Sequence, residues 1–188
     1  MGANRHGCVL TKPGAGGFSL LELVVVMGVA AILLGAGVPA LRDYLMDLRM
    51  RAAVNALHAD LAYARSRAVF TGINVVACPR SAPTATECAS LPEWHGGWIV
   101  FDDQNGDRER QASEPIGRQV TPFDHLVIES AAARRRLRFL PTGTAPGSNA
   151  TIRFCDTRGN PDARALALSN TGRLRRMTSS APTAINCN

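Results

Sequence analysis

Residues 18–41 constrain the chain most: they read as a helix that crosses a membrane. Residues 23–41 run 19 positions without a charge, close to the ~20 that a helix needs to span a bilayer. Ahead of them stands MGANRHGCVLTKPGAGG, with Arg5 and Lys12 and no acid, so the positive-inside rule keeps this leader cytoplasmic. An ordinary signal peptide loses its apolar stretch at a small-residue site on the far side. Here the stretch is too long, and the small residues precede it. A cut after Gly17 would leave Phe18 as a new N-terminus at the head of a retained helix. Glu22 is the single ionisable group within 18–41. A carboxylate in a membrane helix is costly unless partnered, which marks it as functional by default. Its expected partner is the α-amino group of Phe18, in the same chain or in a neighbouring subunit. The plainer alternative is a glutamate snorkelling to the interface from the first helical turn.

The stretch GGFSLLELVVVMGVAAILLGAGVPAL resembles the N-terminus of a type IV prepilin or pseudopilin. The match comprises Gly17 before the cut, Phe18 as the N-methylated first residue, Glu22 in the assembly position and Pro39 kinking the helix. The resemblance implies processing by a prepilin peptidase, storage in the inner membrane with the C-terminal domain periplasmic, and assembly with other major and minor pilins.

Beyond the membrane segment, Tyr44, Leu45, Leu48, Ala52, Leu57, Leu61 and Ala64 recur at helical intervals, while Arg42, Asp43, Asp47, Arg49 and Arg51 mark a wet face. The helix is expected to continue as an amphipathic segment over 42–72 and to stop at Gly72. Short β-type runs follow, at 73–78, 97–101, 116–121, 126–129, 136–140, 151–155, 165–169 and 173–178. The expected fold class is α+β: a type IV pilin fold with one long N-terminal helix packed on an antiparallel β domain of seven or eight strands. The expected division is a leader at 1–17, a transmembrane helix at 18–41, its continuation at 42–72 and a β-rich periplasmic or extracellular domain at 73–188.

Apart from Cys8 in the leader, four cysteines lie beyond the apolar segment: Cys78, Cys88, Cys155 and Cys187. An even set there suits two disulfides in an oxidising compartment, and zinc-type CxxC spacing is missing. Of three possible connectivities, Cys78–Cys88 and Cys155–Cys187 are favoured because each closes a local loop. No metal and no cofactor are expected. Asp103, Asn105 and Asp107 alternate as in a calcium loop, but the pattern is read as missing both the following glycine and the distal glutamate. Asn105-Gly106 is a strong turn dipeptide, so the run is read as a hairpin turn. Nor is an enzyme expected: His58 falls on the helix, His95 and His125 stand in separate loops, and no nucleophile or phosphate-loop motif occurs.

Charge is segregated. Residues 71–130 hold four arginines against nine acids, whereas 131–188 hold ten arginines against Asp156 and Asp162. Guanidinium forks fit phosphates with two bonds. Strand geometry would place Arg134, Arg136 and Arg138 on one face. In NTGRLRRM, Gly172 permits a tight turn, Arg173 and Arg175 project to one side, and Leu174 faces inward. Such an edge suits a DNA backbone read without base contacts; it would equally suit a solvated edge that resists strand pairing. HGGWIVFDDQNGD, IRFCDTRG and LALSNTGRLRR with a terminal Cys are similar to the FimT/GspH family of minor pilins and pseudopilins. In the FimT branch a C-terminal GRxR motif is implicated in binding DNA for uptake during natural transformation. That resemblance implies DNA contacts at Gly172, Arg173 and Arg175; Arg176, Arg134, Arg136 and Arg138 are added on charge alone. The alternative is an H-type minor pseudopilin of a type II secretion system, a structural tip subunit without affinity for DNA.

Overall fold

A computed structural model describes residues 17–178 and Cys187. The leader expectation, apart from Gly17, lies outside the described residues. The chain divides into two units, residues 1–43 and 44–188.

Helix α1 (Leu20–Thr71) contributes to both. In the first unit Phe18 and every residue from Leu20 to Leu41 are exposed, and the segment is long and apolar enough to cross a membrane. Glu22 sits in the first turn, where the free amides of a helix favour negative charge.

In the second unit α1 buries Met50, Ala53, Val54, Leu57, Leu61, Ala64 and Ala68. The stripe differs in phase from the sequence expectation: Leu57, Leu61 and Ala64 belong to it, but Tyr44, Leu45, Leu48 and Ala52 are exposed. Hydropathy cannot separate Ala52 from Ala53; the packing of Met50 and Leu57 selects the latter. The helix ends where Gly72, at φ 68°, donates its N–H to the Ala68 carbonyl.

Among the described residues eight strands follow, each within two residues of its expected bounds. They form two four-stranded antiparallel sheets. The first has the order β3 (Ile116–Gln119), β2 (Trp98–Asp103), β1 (Asn74–Pro79), β5 (Leu137–Phe139). The second has the order β4 (Val127–Glu129), β6 (Ala150–Cys155), β7 (Arg164–Leu168), β8 (Leu174–Thr178). One core joins both to α1: Leu57 and Leu61 share it with Val75, Trp98 and Val100 of the first sheet and with Ile152, Phe154 and Leu166 of the second. Polar pins fix the register of the helix. Arg67 forks onto buried Asp102 at 2.5 and 2.7 Å; Arg164 of β7 reaches Asp47 at 2.6 Å. Trp98 Nε1 donates to Asp60 at 2.8 Å. Burial works to raise the Asp47 pKa, but bonds and charges from Arg164 and Arg51 outweigh it and hold the carboxyl below its usual range.

Cys78 is bonded to Cys88, and Cys155 to Cys187. Two expectations are corrected. The run after Asp103 does join the antiparallel neighbours β2 and β3, but through a long loop and not at Asn105-Gly106 alone. And the distal glutamate read as missing is present: Glu114 stands twelfth from Asp103 and is buried.

Candidate nucleic-acid interface

The β7–β8 connection is built on a glycine. Ser169 donates its N–H to the Arg173 carbonyl at 3.0 Å, and Gly172 donates to the Ser169 carbonyl at 2.9 Å. Gly172 lies at φ 77°, so this is a three-residue loop closed by a left-handed residue. The same glycine lets two loops touch. A Cβ on it would lie 2.2 Å from the Gly143 carbonyl oxygen. Arg65 of α1 donates to that oxygen at 2.9 Å, and the Ala145 N–H donates to the Asn170 carbonyl at 2.8 Å. The turn is therefore held from two sides before the arginines begin.

β8 then runs antiparallel to β7, with Leu174 opposite Leu168, Arg175 opposite Ala167 and Arg176 opposite Leu166. Leu174 is half-buried against the core. Arg173, Arg175 and Arg176 are exposed, and β8 is the last strand of its sheet. Among the described residues their side chains have no acidic or hydrogen-bonding partner. The other arginines of the basic third differ. Arg158 is paired with Asp156 at 2.6 Å and Arg153 with Glu129 at 3.6 Å, and Arg164 is held by Asp47.

The cluster Arg134, Arg136 and Arg138 is not the strand face that its alternation suggests. Arg134 ends the 3-10 turn Ala132–Arg134, and the strand starts only at Leu137. Arg134 donates to the Asn149 carbonyl at 2.9 Å, Arg136 meets Glu109 at 2.5 Å, and Arg138 reaches the Gly106 carbonyl at 3.4 Å. These guanidiniums hold loops at the edge of the first sheet.

A groove of about 700 Å³ runs between α1 and the β7–β8 turn, lined by His58, Ala62, Arg65, Ser66, Val69 and Phe70 on one side and Gly172, Arg173 and Leu174 on the other. Burial first, and then the Arg176 charge, hold the His58 pKa below its usual value. Sequence reasoning missed this wall of the site. The signal was available, since 58, 62, 65, 66 and 69 fall at three- and four-residue intervals on one helix face.

The family model for type II transport protein GspH matches residues 53–172. The chain belongs to the GspH family. The prokaryotic N-terminal methylation motif matches residues 12–38; with the fold, this makes the chain a type IV pilin or pseudopilin of the GspH/FimT kind. Two crystal structures of the type IV minor pilin FimU of Pseudomonas aeruginosa PAO1 are similar to it. The P21 form is 24% identical with a TM-score of 0.54, over 72% of this chain and 93% of FimU. The P65 form is also 24% identical with a TM-score of 0.53, over 71% and 98%. At that identity the likeness shows the fold alone. A search of curated protein sequences found no match. Family and fold are those of pilin structural proteins. The GspH match ends at Gly172, one residue before the exposed arginines, so membership does not itself speak for them.

Proposed function

We propose that this GspH-family pilin is a FimT-like minor type IV pilin that captures extracellular DNA for natural transformation. Arg173 and Arg175 would be the main phosphate contacts, and Arg176 a flanking one. The observation that carries this reading is the contrast among the arginines: most of the basic third is spent on internal partners, whereas these three stand exposed at the start of a braced edge strand and along it. Arg134, Arg136 and Arg138 drop to a supporting role, because loops already occupy them. Without base contacts, affinity should be micromolar and sequence-independent. The test is titration of the full-length protein, in detergent micelles, with duplex DNA. Replacing Arg173 and Arg175 together by Ala should weaken binding at least tenfold; unchanged binding would remove these residues from the role.

The N-terminal half of the proposal is staging. Prepilin peptidase would cut after Gly17, Phe18 would be N-methylated, and the inner membrane would hold residues 18–41 with the domain 73–188 outside. Glu22 would then meet the α-amino group of a neighbouring Phe18 as the helix, continuing through 42–72, enters the filament. The second reading is an H-type minor pseudopilin of a type II secretion system, favoured by the description of the matched family. It predicts contacts with other minor pseudopilins and no DNA binding in the titration.

A further inference from the structure

At the end of β2 stands a buried carboxylate that forms no ion pair among the described residues. Asp102 and Asp103 are both buried, but only Asp102 has its arginine fork. Asp103 is 1% exposed. Its Oδ1 accepts the Gly106 N–H at 2.8 Å, while Oδ2 has no partner among the described residues. Burying an ionised carboxylate unpaired is expensive. Glu114 of the same loop is buried as well, and Asp107 stands between the two in sequence. The three carboxylates therefore share one charge problem. The nearby cations do not solve it: Arg67 is held by Asp102 and Arg136 by Glu109, and Arg110 donates to the Glu114 carbonyl. Arg108 does not bond Asp103 Oδ2 either.

The spacing supplies an answer. Counting Asp103 as one, Asn105, Asp107, Glu109 and Glu114 fall at three, five, seven and twelve, the donor positions of a twelve-residue calcium loop. At the sixth position, where such loops turn on a glycine, Arg108 adopts φ 66°; the backbone makes the turn without the glycine. Glu114 is 2% exposed and returns across the loop, its two oxygens accepting the Gln104 and Gln111 amides at 2.9 Å each.

We propose that residues 103–114 form a calcium site, with side-chain oxygens of Asp103, Asn105, Asp107 and Glu114 and the Glu109 carbonyl as ligands. An all-oxygen set suits a hard cation, and a flexible loop of several ligands suits calcium better than the octahedral demand of magnesium. Among the described residues no three acidic side chains converge on one point; binding would draw Asp107 and Glu114 off the amides they now accept and toward Asp103 Oδ2. Glu109 and Gly106 also hold Arg136 and Arg138, so the ion would stiffen that edge of the first sheet as well.

The test is calorimetric titration of the full-length protein with calcium after EGTA treatment, with thermal unfolding in calcium and in magnesium. One site is expected, with a Kd on the order of 10⁻⁴–10⁻³ M as in extracellular modules. At ten times Kd the Tm should rise by about 3–6 °C, with little response to magnesium. Asp103→Asn removes the unpaired buried charge, so it should raise the Tm in EGTA and abolish the calcium shift. Asp107→Asn, at an exposed position, should stay folded and weaken calcium binding at least tenfold. No heat and no shift with wild type at about 10 mM calcium, or wild-type calcium affinity in Asp107→Asn, would overturn the site.

Discussion

Single residues set the geometry of the arginine edge, and Gly172 does so without any charge. It supplies the left-handed turn that only glycine makes cheaply, and it admits a backbone carbonyl where a Cβ would be. Gly172→Ala should therefore cost about 2 kcal/mol or more. It should also weaken DNA binding although every arginine is kept. Thermal unfolding and titration of that variant check both; wild-type stability would mean the two loops are not in register as described. Gly172 was legible as a turn residue because NTG before RLRR is a local pattern. Its contact with Gly143 was not, since 29 residues separate the two and only tertiary packing joins them. Glu114 went unread for a related reason: once Asn105-Gly106 suggested a tight turn, a partner at the twelfth position had no place.

At the scale of elements, the long helix and the eight strands were legible because apolar length, period and turn residues are local signals. The phase of the amphipathic stripe was not, because consecutive alanines carry no preference until the sheets select one. That selection can be measured. Leu57→Ala should destabilise the protein by about 2–5 kcal/mol as a core cavity forms, whereas Leu48→Ala, at an exposed position, should change stability by less than about 0.5 kcal/mol. Comparable losses at both positions would put the stripe where the sequence first suggested. The partition of eight strands into two sheets was equally hidden, since alternation specifies a face but not a neighbour. The same limit explains Arg134, Arg136 and Arg138. Alternation implied a common face, yet the chain is still in a 3-10 turn at Arg134.

At the scale of the molecule, a prepilin-type N-terminus precedes a domain whose basic charge is crowded into the last third of the chain. Counting charges suggested a broad basic surface. Pairing reduces it to three guanidiniums at one strand edge, because Asp47, Glu109, Glu129 and Asp156 engage four of the others and backbone carbonyls take Arg134, Arg135 and Arg138. A surface with so few free charges makes a quantitative statement about DNA. Each phosphate neutralised contributes about −0.9 to the slope of log K against log salt. The most direct measurement is therefore the salt dependence of duplex DNA binding by the full-length protein. A slope of about −2.7 is predicted for three contacts, becoming shallower by about 0.9 with each of Arg173, Arg175 and Arg176 replaced by Ala. No binding at low salt, or a slope that survives the triple replacement, would contradict the account.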